Sequence, residues 1–204
     1  ILDLPKKPSK VLLASSANVY GNCDISIIDE SMIPNPINHY AASKFAMEKM
    51  AFTYSDDIDL VITRPFNYTG HGQDINFVIP KLVDCFLNKK LTISLGNTHV
   101  KREFNDVGMV CDAYLNLLNY GVSGEIYNVC SGDAYSLQFV IDKLSSLTGH
   151  SVKIEVNSNF VRPNEVAILR GDPSKLKGLL KQSSGSVKKI SLESILATML
   201  HAGV

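Results

Sequence analysis

The sequence predicts an α/β protein with a largely parallel sheet, because short apolar segments alternate with segments of helical periodicity. Residues 11–15, 60–66 and 125–130 are apolar, are bounded by polar residues, and are typical of buried strands. In such folds the binding crevice lies beyond the carboxyl ends of the strands. Ser16 follows the first predicted strand and Asn67 follows the second, so we expect both side chains at this crevice.

The other elements follow from periodicity and from capping residues. Apolar side chains recur at helical spacing over residues 40–54, and this helix begins after Asn38. Pro65 ends the second strand. Residues 136–149 predict a helix that opens with a serine and stops at a glycine. The remaining predicted elements are helices over 77–87, 106–119 and 191–200, and a strand over 152–156.

The composition is that of an ordinary globular domain without overall charge. The 204 residues are 45% hydrophobic, and 20 basic side chains balance 20 acidic ones. Because nucleic-acid-binding domains are usually strongly basic, this balance argues against a nucleic-acid partner. No apolar run is long enough to span a bilayer, and residues 1–10 contain no leader pattern. We therefore expect no membrane association and a cytoplasmic location.

The cysteines carry no sign of a metal site or a disulfide framework. Cys23, Cys85, Cys111 and Cys130 are scattered along the chain, and no C-x-x-C pair occurs. We expect them to be free thiols in a reducing compartment.

Ser16, Tyr40 and Lys44 form a candidate catalytic set. Tyr40 and Lys44 are four residues apart, so they share one face of the predicted helix. A tyrosine alone is a poor acid or base at neutral pH, but a neighbouring ammonium favours the phenolate, and such a pair can act as a general acid–base. The Ser16 hydroxyl can donate to a carbonyl or alkoxide oxygen. Each residue alone has a common structural explanation, so only the combination is specific.

A dinucleotide-binding domain normally opens with a strand and a G-x-G-x-x-G turn, and this sequence lacks that motif. Its first glycine is Gly21, and the segment that begins at Gly70 fails the pattern because Ile75 replaces the last glycine. Two interpretations remain open at this point. Either the chain is not a dinucleotide domain, or the first half of that domain is missing from the sequence.

Five motifs resolve these alternatives by resemblance. They are SSANVYG at 15–21, YAASK at 40–44, RPFN at 64–67, KREFNDVGMVCDAY at 101–114 and RPNEVAILRGDPSKL at 162–176. In type and order they resemble the extended short-chain dehydrogenase/reductase family, whose members are epimerases, dehydratases, reductases and decarboxylases of nucleotide sugars. The resemblance covers nearly the whole chain. It implies an enzyme with NAD or NADP as cofactor and accounts for the missing glycines, because family members begin with the glycine-rich half.

The resemblance also implies an architecture. The chain would form the C-terminal half of a Rossmann-like doubly wound parallel sheet, with a smaller α+β substrate-binding subdomain. Residues 1–73 and 105–131 would belong to the dinucleotide-binding part, and residues 74–104 and 132–204 to the nucleotide-sugar part. Family members are often homodimers through helices that include the Tyr-Lys helix, so we expect a homodimer.

On the catalytic side, the resemblance assigns five positions. Ser16 would polarise the C4 oxygen of the sugar, and Tyr40 would be the acid–base. Lys44 would hold the nicotinamide ribose together with Tyr40. Ser15 and Pro65 lie where family members bind the cofactor.

On the substrate side, the resemblance assigns four positions. Asn67 would contact the nucleotide sugar, and Arg102 and Arg162 would grip its diphosphate, for which a guanidinium presents paired donors. Glu165 would bind a ribose hydroxyl or orient an arginine.

Two positions favour one reaction within the family. Dehydratases typically carry a glutamate two residues after the catalytic serine. This chain has Asn18 at that position. An amide cannot act as an acid or a base at neutral pH. The segment at 64–73 is similar to that of GDP-6-deoxy-mannose reductases, although His71 replaces the usual proline. We therefore expect a GDP-4-keto-6-deoxy-mannose reductase that acts on a GDP-hexose. The alternatives are a GDP-mannose 4,6-dehydratase, another nucleotide-sugar epimerase, or a non-catalytic fragment without the pyrophosphate-binding turn.

Overall fold

The computed structural model describes residues 1, 3–22, 27–157, 160, 167–183 and 185–203, and its helices and strands alternate along the chain as expected. The helices are α1 (His39–Phe52), α2 (Val78–Leu87), α3 (Val107–Tyr120), α4 (Leu137–Thr148), α5 (Ser174–Gln182) and α6 (Leu192–Ala202). The strands are β1 (Val11–Ala14), β2 (Leu60–Pro65), β3 (Tyr68–Thr69), β4 (Thr92–Leu95), β5 (Lys101–Arg102), β6 (Asn105–Asp106), β7 (Ile126–Val129), β8 (Tyr135–Ser136), β9 (Lys153–Val156) and β10 (Ile168–Leu169). A 3₁₀ helix covers Ala17–Tyr20.

The central sheet consists of three parallel strands in the order β1-β2-β7. Leu13 lies opposite Ile62, and Thr63 lies opposite Tyr127, so all three strands end at the same edge. All six residues of β2 are buried, as expected for the middle strand of a covered parallel sheet. The predicted α/β class with a parallel sheet is confirmed.

Every predicted helix and strand is present, with boundaries that shift by one or two residues. The sequence pattern did not predict α5, β4 or several two-residue strands. β4 alternates polar and apolar residues as strands do, but its partner β9 is distant in sequence. Two-residue strands are too short to show any periodicity, so only the tertiary structure defines them.

Two of the three buried apolar clusters in the described residues lie on different parts of the chain. Leu82 from α2, Leu144 from α4 and Leu196 from α6 belong to one buried cluster. Val61 from β2 and Leu117 from α3 belong to another, to which α5 also contributes buried leucines. By sequence α5 falls in the predicted substrate-binding part, yet it packs against the central sheet. The division of the chain into two parts stays a prediction.

Three further features of the described residues concern membrane spans, cysteines and metal binding. No helix in the described ranges is both long and apolar enough to cross a membrane. Cys85, Cys111 and Cys130 are free thiols, whereas Cys23 lies outside the described residues. Within the same ranges, no group of three or more His, Cys, Asp or Glu side chains could hold a metal ion.

A buried ion pair joins α1 to β2. The Glu48 and Arg64 side chains are 1% and 3% exposed, and Arg64 donates to both carboxylate oxygens, from Nε at 3.0 Å and from Nη2 at 2.6 Å. The guanidinium also lies 4.8 Å from the centroid of the Tyr20 ring, whose hydroxyl donates to Asn128 at 2.8 Å. Burial raises the pKa of Tyr20 to about 12. This network connects the 3₁₀ helix, α1, β2 and β7.

The ion pair also sets the rotation of α1. Tyr40, Lys44 and Glu48 recur every four residues and therefore lie along one helix face. Because Glu48 is fixed to β2, the other two side chains are directed towards the edge of the sheet where the strands end.

We predict that Glu48→Gln lowers the free energy of unfolding by about 3–5 kcal/mol, because Arg64 would remain buried without its counter-charge. Urea unfolding of the protein expressed from its complete reading frame measures this. The control is Glu125→Gln, which breaks a partly exposed pair with Lys175 and should cost less than about 1 kcal/mol. Equal costs for the two variants would contradict the account.

Candidate active site

The end of β1 places two serines at the edge of the sheet. The backbone N–H of Ser15 donates to the Thr63 carbonyl at 2.8 Å, which extends the strand pairing past Ala14. Ser16 then caps the 3₁₀ helix, where its Oγ accepts from the backbone N–H of Asn18 at 3.2 Å. Capping is the common role of a lone serine. A hydroxyl that accepts this bond still carries its own proton, so Ser16 can also donate to a ligand.

Helix α1 brings Tyr40 and Lys44 to the same edge. The side chain of Asn38 caps the helix by accepting from the Ala41 backbone N–H at 2.8 Å. Lys44 Nζ donates to the carbonyl of Ala14 at 2.9 Å and lies 5.8 Å from the centroid of the Tyr40 ring. One donor of the ammonium is thus used to anchor α1 to the end of β1, and Tyr40 remains 51% exposed.

These side chains line one cavity of about 570 Å³, here named cavity A. Six residues to which the family resemblance assigns a role contribute to it: Ser15, Ser16, Tyr40, Lys44, Pro65 and Asn67. The other lining residues are Ala14, Ala17, Asn18, Phe66, Tyr68, Gln73, Phe77 and Tyr114. The predicted crevice beyond the strand ends is therefore present, and the roles of its residues stay predictions.

A second cavity of about 520 Å³, named cavity B, adjoins the first. Asn18, Asn67 and Phe77 line both cavities, so the two lie side by side. Lys81 and Arg102 also line cavity B, and none of its described lining residues is an aspartate or glutamate. Although the whole chain is neutral, this cavity is locally cationic and suits an anionic ligand.

Arg102 lies in β5 and donates from Nη1 to the Lys101 carbonyl at 2.8 Å. The structure thus places it in cavity B, beside the cavity that holds the serine and tyrosine. Arg162 and Glu165, the other two predicted substrate residues, lie outside the described residues.

Several cavity residues were missed by the sequence analysis. Phe77 and Lys81 belong to the predicted helix 77–87, where nothing in the apolar pattern marks them as ligand-facing. Lys81 Nζ donates to the Ser94 carbonyl at 2.9 Å. Tyr114 on α3 lines cavity A, and burial raises the pKa of its hydroxyl despite a hydrogen bond with Thr63. Only the tertiary packing of α2 against α4 and α6, and of α3 against β1 and β2, reveals these residues.

The buried carboxylate of Glu103 organises the loops around cavity B. Its Oε2 accepts from the backbone N–H of Ser131 at 2.8 Å and from Asn105 Nδ2 at 3.0 Å, and its Oε1 accepts from the Gly171 N–H at 2.7 Å. Burial raises the pKa of Glu103, and these hydrogen bonds lower it by less. Because Glu103 follows Arg102 directly, this clamp fixes the backbone that presents the arginine.

Cavity A also contains donors that fit a dinucleotide cofactor. Ser15 is 3% exposed, and among the described residues its Oγ has no hydrogen-bond partner. Leaving a buried hydroxyl unpaired costs about 1–3 kcal/mol, and a polar ligand group in cavity A would supply the partner. The two remaining donors of Lys44 suit the vicinal hydroxyls of a ribose.

Comparison with known proteins defines the family. The family model described as GDP-mannose 4,6 dehydratase matches residues 2–199, so the chain belongs to this family. Membership of the extended short-chain dehydrogenases/reductases, predicted from the motifs, is thereby confirmed.

Particular relatives refine this placement. The chain is 37% identical over 180 residues to the GDP-6-deoxy-D-talose 4-dehydrogenase of Aggregatibacter actinomycetemcomitans, with 88% of this chain and 61% of that protein covered. It is 32% identical over 195 residues to the GDP-6-deoxy-D-mannose reductase of Pseudomonas aeruginosa, with 91% and 64% covered. The structure of RMD from Pseudomonas aeruginosa complexed with NADPH superposes with a TM-score of 0.84 at 30% identity, covering 94% of this chain and 65% of that one. The chain thus spans less than two thirds of these relatives.

We predict that Glu103→Gln lowers the free energy of unfolding by about 1–3 kcal/mol. All the groups around the carboxylate are donors, so the amide NH₂ of glutamine would face another donor in either orientation. Denaturant unfolding measures the loss, and Glu155→Gln, an exposed change on β9, should stay within about 0.5 kcal/mol of wild type. An unchanged stability of Glu103→Gln would show that the clamp is not needed.

Proposed function

We propose that this chain is the catalytic part of a nucleotide-sugar oxidoreductase that reduces C4 of a GDP-4-keto-6-deoxy-hexose. One observation carries the proposal: the cavity lined by Ser16, Tyr40 and Lys44 adjoins the cationic cavity lined by Lys81 and Arg102. A sugar diphosphate would occupy both cavities, because its reacting carbon, C4, and its phosphates lie at opposite ends of the hexose.

The proposed chemistry in cavity A is a proton transfer with a hydride transfer. NAD or NADP, when bound, supplies the hydride for the sugar carbonyl carbon. Tyr40 delivers the proton to the C4 oxygen, and the Ser16 hydroxyl donates a hydrogen bond to that same oxygen. Lys44 holds the ribose hydroxyls with the donors that Ala14 does not use. Ser15 and Pro65 complete the cofactor side of the cavity.

In cavity B, the proposal assigns the diphosphate to Arg102, with Lys81 as a second cation. Asn67 contacts the sugar between the two cavities. By resemblance, Arg162 would add a second guanidinium and Glu165 a ribose contact. Residues 74–104 and 132–204 would form the substrate side of the chain.

The proposal favours reduction over dehydration and epimerisation. Asn18 lines both cavities, and its amide cannot serve as the acid–base that a dehydratase needs near C5 and C6. The names of the two curated relatives both describe redox chemistry on a GDP-6-deoxy-hexose. Talose and mannose are C4 epimers, so the configuration of the product distinguishes these two activities.

The proposal includes a cytoplasmic homodimer. Met50 on α1 and Leu115 on α3 are 67% and 60% exposed, and their burial between two copies would remove apolar surface from water.

The function is tested by incubating the protein from its complete reading frame with GDP-4-keto-6-deoxy-mannose and reduced NAD or NADP. Consumption of the reduced cofactor and a GDP-6-deoxy-hexose product, identified by NMR, are expected. Conversion of GDP-mannose to a 4-keto-6-deoxy product would instead establish the dehydratase. The absence of turnover with every nucleotide sugar would favour a non-catalytic protein.

We predict that Tyr40→Phe lowers kcat by roughly 10²–10⁴-fold, because the phenyl ring keeps its place but has no proton to transfer. KM should change little, since the contacts in cavity B are intact. The matched control is Tyr54→Phe, which alters an exposed tyrosine outside both cavities and should leave kcat unchanged. Full activity of Tyr40→Phe would remove Tyr40 from the chemistry.

We predict that Arg102→Gln raises the Kd for a GDP-sugar roughly tenfold to a hundredfold, because hydrogen bonds between charged groups are stronger than neutral ones. Isothermal titration calorimetry measures the change. Lys101→Gln removes the same charge from the neighbouring residue, which lines neither cavity, and should change Kd little. Equal weakening by both variants would indicate a general charge effect without a specific diphosphate contact.

A further inference from the structure

We infer that the Gln73 side chain donates a hydrogen bond to the C3 hydroxyl of the bound hexose, and that Thr69 holds the amide in the orientation for this bond. The inference rests on the proposed function and adds a specificity-determining residue to it. It follows from the place of Gln73 in cavity A, from the hydrogen bonds of its amide and from the chemistry of the sugar around C4.

A tight turn after β3 brings Gln73 into the wall of cavity A. The backbone N–H of Gln73 donates to the Gly70 carbonyl at 3.3 Å, and Gly72, the third residue of this turn, has a φ of +80°. A positive φ at the third residue is the conformation of a type II turn, which glycine adopts without strain. The turn reverses the chain, and the half-buried Gln73 lines cavity A.

The orientation of the Gln73 amide is set by its two neighbours. Thr69 is 2% exposed, and its Oγ1 donates to Gln73 Oε1 at 2.6 Å. Gln73 Nε2 donates to the Tyr68 carbonyl at 3.4 Å. If the amide were turned over, Oε1 would face that carbonyl, and the two acceptors would repel each other. The amide oxygen is therefore held by Thr69, and the NH₂ group is the part that can bind a ligand.

This NH₂ group has a donor left for a ligand. It carries two protons, and among the described residues its one hydrogen bond is the long one to Tyr68. Because Gln73 lines cavity A, an oxygen of a bound ligand can accept the second proton.

The place of Gln73 selects one end of the sugar. Gln73 lines cavity A but not cavity B. In the proposed function cavity A holds C4 of the hexose, and cavity B holds the diphosphate that C1 carries. Gln73 therefore faces the C4 end of the ring.

At this end of a 6-deoxy sugar, the C3 hydroxyl is the acceptor that fits Gln73. C4 lies between C3, which carries a hydroxyl, and C5, which carries the ring oxygen and the C6 methyl group. The proposed function assigns the oxygen on C4 to Tyr40 and Ser16, and it places Asn18 near C5 and C6. The C3 hydroxyl is then the group that remains for the Gln73 amide.

The test compares kcat/KM for GDP-4-keto-6-deoxy-mannose with kcat/KM for its 3-deoxy analogue, in the protein expressed from its complete reading frame. Gln73→Met keeps the length of the side chain and removes the amide. Thr69→Val removes the hydroxyl that orients the amide, whereas Thr69→Ser retains it. The matched control is Gln182→Met, which removes an amide from an exposed residue outside both cavities.

The ratio of the two kcat/KM values isolates the contact, because the intrinsic effect of a C3 hydroxyl on the ketone is the same for every variant. An unpaired donor costs a bound state about fivefold to a hundredfold. The preference for the 3-hydroxy sugar should fall by this factor in Gln73→Met and by part of it in Thr69→Val. Thr69→Ser should restore the wild-type ratio, and Gln182→Met should keep it.

Two results would overturn the inference while the proposed function stands. One is a wild-type ratio in Gln73→Met, and the other is an equal loss of preference in Gln182→Met. If Gln73→Met turns over neither sugar, the ratio of Thr69→Val decides, and a wild-type value there overturns the inference. If the wild-type protein reduces neither sugar, both the inference and the proposed function are overturned.

Discussion

The arrangement of the candidate active site depends on the buried ion pair between Glu48 and Arg64. Both side chains are almost fully excluded from solvent, and the guanidinium donates to both carboxylate oxygens. Replacing such a pair by apolar residues need not destabilise a protein, but its directional bonds fix one orientation of two elements. Here they fix the face of α1 that carries Tyr40 and Lys44. The same guanidinium stacks on Tyr20, so the segment that follows Ser16 is held by the same charge.

Cavity B shows how a protein without net charge can present a local cationic surface. Cavity B is lined by Lys81 and Arg102 without a described carboxylate, although acidic and basic residues balance over the chain. Glu103, a buried carboxylate nearby, is enclosed by donors and is shielded from solvent. Its charge is therefore used to tie three loops together. This clamp keeps the backbone beside Arg102 rigid.

Much of the fold and part of the site follow from the sequence. Strand and helix periodicity predicted the central sheet, and serine and asparagine at strand ends predicted the crevice that Ser16 and Asn67 line. Phe77 and Tyr114 could not be predicted, because their roles in the cavity walls depend on how α2 and α3 pack. Besides the neighbouring Asn105, the partners of Glu103 come from two segments that are distant in sequence, so no local pattern reveals the clamp. Motif order identified the family, whereas the reaction within it depends on single positions such as Asn18.

The most direct test of C4 reduction is an isotope-transfer experiment. The protein from its complete reading frame is incubated with GDP-4-keto-6-deoxy-mannose and a nicotinamide cofactor that carries deuterium at the transferred position. NMR of the product then locates the label. The account predicts one deuterium at C4 of a GDP-6-deoxy-hexose. A product without deuterium, or with deuterium at another carbon, would contradict it, because an enzyme that only dehydrates or epimerises returns its own hydride to the sugar and leaves the added label unused.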